Sequence, residues 1–354
     1  MGGLNQYMSK EIYINARFLT QKTTGVQRFA IEIAKNLHQL NPAIKFIAPK
    51  NIIHHDLAEE LGVISFGFLK GHLWEQIELP IYLSTKGNPL LINFCNTAPL
   101  LYQNKIVSIH DLAFMVNPKW FSKKFATFYN YLIPQIAKSA KHIITVSNSS
   151  KKEIENLIGI NPTKISVVYN GITFKSSTGI NQPEAINKTN YFLTVSSIDP
   201  RKNLQKLIEA FITWNPKDLK LVVIGGKNNN FSEASITAHD SIVALGYVSD
   251  QELINYYQHA ICFVYPSLYE GFGLPPLEAL AFGTNVIASD IPSIREVCND
   301  SILQYFDPNN TESIIAALRF ASEHTFTEPK PIDFGKFSWD KAANAVNEII
   351  KVHN

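Results

Sequence analysis

Two doubly wound α/β domains, joined by a linker near residue 180 and facing each other across a cleft, are what this sequence predicts. Three observations carry the prediction. The chain has 354 residues, more than one domain usually holds and suited to two of about 150–180 residues. Short apolar runs alternate with amphipathic segments, the pattern of βαβ units in a parallel sheet. The stretch Lys175–Asn190 is polar, contains Gly and Pro and has no periodicity, so it reads as the linker.

In the first domain, residues 1–178, the predicted strands are Glu11–Phe18, Lys45–Ala48, Leu90–Phe94, Ile106–Ile109, His142–Val146 and Ile165–Tyr169. Between the first two, Val26, Phe29, Ala30, Ile33, Leu37 and Leu40 recur at helical spacing. In the second domain, residues 188–337, Tyr191–Val195, Leu219–Ile224, Ile242–Leu245, Ile261–Tyr265 and Val286–Ala288 repeat the theme. A last helix from about Ser338 carries Trp339, Ala342, Val346, Ile349 and Ile350 along one side. Its pattern does not specify a domain to pack on, and the first domain is a candidate. Ligands are expected at the carboxyl ends of the strands.

Composition narrows the function classes. With 45% hydrophobic residues and a formal net charge of +2, the chain can bury two cores and lacks the strongly basic face of a nucleic-acid binder. Cys95, Cys262 and Cys298 are widely spaced and form no metal-ligand pattern, so they read as buried thiols in a reducing compartment. The N-terminus has no long apolar core, and no run reaches the roughly 18 residues that span a bilayer. A soluble cytoplasmic protein is therefore expected, with attachment to a membrane surface left open.

The segment Glu270–Glu278, EGFGLPPLE, follows the strand ICFVYPS and precedes a helix expected to begin at Pro275–Pro276. Gly271, Phe272 and Gly273 then lie at a helix N-terminus, which suits phosphate or sugar hydroxyls. Glu270 and Glu278, the latter expected in the first helical turn, place a carboxylate on each side of that loop, and carboxylates accept hydrogen bonds from vicinal diols. Asp199-Pro200-Arg201-Lys202-Asn203 follows another strand end, where an Arg–Lys pair can neutralise a diphosphate. Thr23-Thr24-Gly25-Val26 opens the first helix, and Gly25 permits close approach of a phosphate. His110 and Asp111 end a strand, where the imidazole can bind a sugar hydroxyl or shuttle a proton and the carboxylate can orient it. For each of these the plainer alternative is a capped helix or a solvated loop. His54-His55 reads as solvated surface.

Together the segments resemble the family-4 retaining glycosyltransferases of the two-domain GT-B fold. The resemblance rests on TTGVQR (Thr23–Arg28), SIHD (Ser108–Asp111), TVSNSS (Thr145–Ser150), VVYNGI (Val167–Ile172), PRKN (Pro200–Asn203), the E-x7-E pair Glu270 and Glu278, and ASDIPSIREV (Ala288–Val297), in family order along nearly the whole chain. It implies that Arg201 and Lys202 hold the diphosphate of a nucleotide-sugar donor, that Glu278 binds ribose and Glu270 the donor hexose, and that backbone at Phe272–Leu274 holds sugar and phosphate oxygens. His110 would lie beside the donor sugar, and Gly246, Tyr247 and Val248 would line the base. Two departures stand out: Ser197, where many relatives carry glycine, and Asn285, where proline is common. The absence of an Asp-x-Asp motif implies no metal, and no cofactor is expected beyond the nucleotide-sugar co-substrate.

The combination of TTGVQR, SIHD and SDIPS looks most like mannosyltransferase members. The donor expected first is GDP-mannose, with a saccharide or lipid-linked acceptor in bacterial surface polysaccharide synthesis, such as O-antigen. Near residue 120, Trp120, Lys123 and Lys124 stand among Phe121, Phe125, Phe128, Tyr129 and Tyr131. That mixture suits an anionic lipid surface at the inner membrane, and the plain alternative is a helix with its aromatics in the core. Two further readings stay open: a nucleotide-sugar 2-epimerase of the same fold, and a non-catalytic nucleotide- or sugar-binding protein. A dinucleotide-binding Rossmann protein is disfavoured, because Gly225-Gly226 lacks the G-x-G-x-x-G spacing.

Overall fold

The computed structural model describes residues 11–173, 190–197, 199–225, 239–324, 329 and 331–354. The predicted linker lies outside them except for Asn190, as does Gly226. The chain divides into two compact units, one running to Gly171 and resuming over Gly335–Asn354, the other spanning Ile172–Phe334.

Unit 1 contains a parallel sheet of β1 (Ile12–Asn15), β2 (Lys45–Ala48), β3 (Ile64–Ser65), β4 (Leu90–Asn93), β5 (Lys105–Ser108), β6 (His142–Thr145) and β7 (Ile165–Val167). Their order is β3-β2-β1-β4-β5-β6-β7. The chain builds outward from β1 in one direction, then crosses back to β4 and builds in the other, so the order reverses between β1 and β4. All residues of β4, β5 and β6 are buried, as expected for strands covered on both faces.

Helix α1 (Gly25–Leu40) buries Phe29, Ala30, Ile33, Ala34 and Leu37 along one stripe. Helix α2 (Lys123–Ser139) buries Ala126, Leu132, Ile133, Ile136 and Ala137. Unit 2 holds β8 (Asn190–Val195), β9 (Leu219–Ile224), β10 (Ile242–Gly246), β11 (Cys262–Tyr265), β12 (Val286–Ser289) and β13 (Gln304–Phe306). All its strand pairs are parallel, in the order β10-β9-β8-β11-β12-β13, which reverses between β8 and β11. Helix α3 (Leu204–Trp214) follows β8, and helix α4 (Leu274–Ala281) follows β11.

The closing helix α5 (Trp339–His353) packs on α1 within unit 1. Trp339, Ala342, Ala343, Val346 and Ile350 are buried there. Gly171 explains part of that docking, because a Cβ on it would sit 2.5 Å from the Trp339 ring.

Two details differ from the sequence reading. The first strand stops at Asn15, and Arg17–Thr20 winds into a 3-10 turn, since Arg17 is drawn into a buried ion pair described below. The strands β3 and β13, of two and three residues, are too short for an alternation to register. Among the described residues no helix is long and apolar enough to cross a membrane.

His142 joins β6 to the end of α5. Its Nε2 lies 2.8 Å from Ser166 Oγ, and its ring is 4.7 Å from that of His353. Burial first, then the nearby charges of His353, Lys151 and Lys164, push its pKa down to about 4. In the unfolded chain the imidazole titrates near ~6.5, so between that pH and about 4 the unfolded state binds more protons and the fold loses stability as pH falls. The melting temperature should therefore drop across this window, and His142→Gln should flatten the drop. An equally steep drop in that variant would contradict the assignment.

Candidate functional site

The reversal of strand order between β8 and β11 leaves a crevice at their carboxyl ends, where α/β sheets bind ligands. The two loops entering it carry the charged groups singled out from the sequence. After β8, Asp199 accepts a hydrogen bond from Arg201 N (2.9 Å) and opens the 3-10 turn Pro200–Lys202. Its carboxylate also pairs with the Arg201 guanidinium at 3.2 Å. After β11, the Leu268 amide donates to the Arg201 carbonyl at 2.8 Å, tying the two loops together. Lys202 Nζ then meets Glu270 Oε1 at 2.6 Å, with the two side chains only 16% and 10% exposed. Tyr265, fully buried, sets its hydroxyl 3.2 Å from the same ammonium.

Burial alone would raise the pKa of Glu270, but the charges of Lys202 and Arg201 outweigh it and hold the carboxyl ionised, below its usual range. The Tyr265 phenol is pushed well up, chiefly by burial and then by the Glu270 charge. The crevice thus holds an ionised carboxylate, two cations and a neutral phenol.

Helix α4 starts at Leu274, one residue earlier than the proline pair, so Glu278 is its fifth residue and stands beyond the first turn. Its N-cap Gly273 has φ +107°, and a Cβ there would lie 2.2 Å from Ile294 Cδ1. The positive end of this helix, with Gly271 and Phe272 buried beside it, faces the loop that carries Glu270. Gly225, at the end of β9, has φ +145° and lies so close to the β8 loop that a Cβ would be 1.8 Å from the Ser196 carbonyl oxygen. Its amide donates to the Gly246 carbonyl at 2.9 Å. Gly246 ends β10, followed by Tyr247, which is 84% exposed, and half-buried Val248. Ser197 is exposed on the β8 loop.

In unit 1, His110 is buried. Its Nε2 is 2.8 Å from the Phe94 carbonyl, to which it must donate. Its ring stands edge-on to Phe29. Burial is the main cause of its lowered pKa, against the Phe94 bond and the Asp111 charge, so the imidazole is neutral with an acceptor lone pair on Nδ1. The Phe94 carbonyl fixes the tautomer, and Asp111 caps the next turn by accepting from Ala113 N at 3.0 Å. Gly25 opens α1 behind the Thr24–Gln27 capping box. A Cβ on Gly25 would meet nothing within 4 Å, so the packing of unit 1 does not itself require glycine there.

Trp120 is half-buried, while Lys123 and Lys124 are exposed. Phe125, Phe128 and Tyr131 are exposed as well, so these three aromatics share the solvent side with the lysines instead of entering the core. Cys262 and Cys298 are buried as expected, whereas Cys95 is half-buried; burial pushes the thiols of Cys95 and Cys298 up to about 12.

One polar cluster was not foreseen. Asn15, Arg17, Glu75, Asn93 and Thr97 are all buried where β1 and β4 end. The only sequence signal was polar residues at the ends of two apolar strands. Among the described residues no group of three or more His, Cys, Asp or Glu could hold a metal ion.

Residues 23–175 match the family described as Glycosyltransferase Family 4, and residues 177–336 match Glycosyl transferases group 1. The chain is similar to the O-antigen chain mannosyltransferase RfbU of Salmonella typhimurium, with 29% identity over 86% of this chain and 89% of the relative. It is 30% identical to O-antigen chain mannosyltransferase B of Escherichia coli over 62% of this chain and 61% of that one. Among solved structures, Anabaena HepE in complex with UDP and glucose superposes with a TM-score of 0.67 at 17% identity, covering 97% of each chain.

The two crevice glycines should respond differently to alanine. Gly273→Ala faces a yielding side-chain tip and should cost about 1–2 kcal/mol, mostly for the positive φ. Gly225→Ala confronts backbone and should cost clearly more. Urea unfolding of both variants checks the order, and equal costs would refute it.

Proposed function

The chain belongs to the family-4 glycosyltransferases, and we propose that it transfers a mannosyl residue, with retention of anomeric configuration, from a nucleotide diphosphate sugar to a saccharide or lipid-linked acceptor of a bacterial surface polysaccharide. The observation that carries the donor half is the Lys202–Glu270 contact of 2.6 Å at the β8/β11 reversal. A nucleotide sugar places its diphosphate and its hexose side by side, so it needs a cation and a hydroxyl-binding carboxylate in adjacent positions. Arg201 and Lys202 take the diphosphate, the N-terminus of α4 adds its positive end, and Glu270 takes the hexose hydroxyls. Glu278 takes the ribose, and Gly246–Val248 line the base. GDP-mannose is the first donor, in keeping with the mannosyltransferases the chain resembles.

In the transfer, the bond between the anomeric carbon and the β-phosphate oxygen breaks, and the acceptor oxygen bonds to that carbon. The acceptor's proton leaves with the nucleoside diphosphate. The charge that develops on the departing phosphate is met by Arg201 and Lys202, both already in place. His110, neutral and fixed by Phe94, offers Nδ1 to a donor hydroxyl. Gly25 leaves room for a phosphate at the start of α1.

We place the enzyme at the inner face of the membrane, on the surface of unit 1 where Lys123 and Lys124 adjoin exposed Phe125, Phe128 and Tyr131. Leu73, Ile77 and Ile81, four residues apart and all exposed, add an aliphatic stripe.

A thermal-shift panel of GDP, UDP, TDP and ADP with their sugars should show a selective rise for GDP and GDP-mannose. No rise with any of them would remove the donor site. Lys202→Ala and Glu270→Ala should each lower turnover by on the order of 10²–10³-fold in a folded protein; full activity in either would refute it. Co-sedimentation with anionic vesicles should be lost on Lys123→Glu plus Lys124→Glu, and unchanged binding would sink the docking surface.

A further inference from the structure

Tyr265, the last residue of β11, has a hydroxyl that the donor contacts leave unused. The residue is 1% exposed, more deeply buried than either Lys202 or Glu270. Its ring stacks on Phe263, with centroids 6.1 Å apart, and its carbonyl accepts from Ser289 Oγ at 3.2 Å. Core packing therefore fixes where the hydroxyl lies. That hydroxyl accepts from Lys202 Nζ at 3.2 Å, and the same ammonium meets Glu270 Oε1 at 2.6 Å. One nitrogen thus brings a phenol and a carboxylate into the same small volume.

A phenol has one proton to donate, and an ammonium has no lone pair to receive it. The proton is left for Glu270, whose charge and hydrogen bond, after burial, hold the phenol well above its ordinary range. Donation therefore runs from Lys202 to Tyr265 and from Tyr265 to Glu270, a chain in which each bond polarises the next. Ser267, buried on the same loop, lies within looser reach of the phenol and of Glu270.

A diphosphate entering the crevice is met by Arg201 and Lys202. As Lys202 turns toward it, Glu270 loses its closest partner. A carboxylate so far removed from water is then prone to rotate or to take up a proton. The bond from Tyr265 does not depend on Lys202. It comes from a neutral group on a fixed ring, so no positive charge has to be shared with the phosphate.

We propose that Tyr265 is a positioning residue: its hydroxyl keeps Glu270 aimed at the donor hexose while Lys202 serves the diphosphate. The inference rests on the donor-site reading and deepens it with a residue that acts through Glu270.

Isothermal titration of the full chain with GDP-mannose and with GDP tests this role. Tyr265→Phe keeps the ring and its contact with Phe263, and a cooperative melting curve checks that it folds. It should weaken GDP-mannose roughly fivefold or more, as expected for one hydrogen bond to a charged group, and leave GDP within about twofold of wild type. In a Glu270→Gln background the same change should alter GDP-mannose affinity by less than about twofold, because the carboxylate it positions is gone. Equal losses for GDP and GDP-mannose, or an undiminished loss in the Glu270→Gln background, would mark a merely structural role and overturn the proposal. Wild-type affinity for GDP-mannose in Tyr265→Phe would overturn it equally. Should that variant not fold, a ring-fluorinated tyrosine in place of Tyr265 makes the hydroxyl a stronger donor; GDP-mannose should then bind more tightly with GDP unchanged, and any other result would overturn the proposal. Failure of the wild type to bind GDP-mannose would instead remove the donor reading.

Discussion

Lys202 and Glu270 meet because the sheet of unit 2 reverses its strand order between β8 and β11, and the rest of the site depends on that meeting. Crossovers between parallel strands carry the chain away from β8 in one direction and bring it back to β11 on the other side. The two loops then diverge over helices α3 and α4, leaving their first turns side by side. One backbone bond, from Leu268 to Arg201, fixes the distance between them. Residues 68 apart in sequence thereby become a 2.6 Å pair.

The energetics of that pair explain why it is poised without being inert. A carboxylate nine-tenths removed from water needs a charged partner, and Lys202 supplies one with Arg201 behind it. A diphosphate that drew Lys202 toward itself would leave Glu270 to accept from sugar hydroxyls, so binding exchanges partners and does not strand a charge. Tyr265 adds a hydroxyl that burial keeps neutral, and so brings no competing negative charge. His110 is governed by the opposite logic: it is buried without a salt-bridging carboxylate among its hydrogen bonds, so it is held neutral and keeps a lone pair on Nδ1.

Much of unit 2's site was legible because its signals are contiguous. Strand, glycine pair, proline pair and flanking glutamates occupy one short segment, and the Pro-Arg-Lys-Asn turn another. The strands of both sheets other than β3 and β13 could be read for a related reason: buried parallel strands are nearly continuous apolar runs. What could not be read was made by tertiary contact. Arg17 and Glu75 are 58 residues apart, and Glu75 stands in a helix whose π-turn leaves no mark in the pattern. The partner of α5 was equally hidden, since an amphipathic stripe specifies a surface of the right width without saying whose; the bare Cα of Gly171 beneath Trp339 is part of what decides it. The Asp111 carboxylate, placed beside His110 by sequence, caps Ala113, and a backbone carbonyl sets the imidazole.

The two sheets share one topology at their reversal points yet hold ion pairs of different character. In unit 2 both partners keep some exposure, a helix begins beside them and a second cation stands near, so a ligand can enter the pair itself. In unit 1 the pair is sealed. Arg17 is anchored to Glu75, Thr97 and Asn15, and Asn15 in turn to Asn93. Opening it would expose a charge with no replacement partner, which typically costs about 3–5 kcal/mol. The same reversal of strand order therefore holds, in unit 2, a pair whose charges are free to change partners, and in unit 1 a pair whose charges are not.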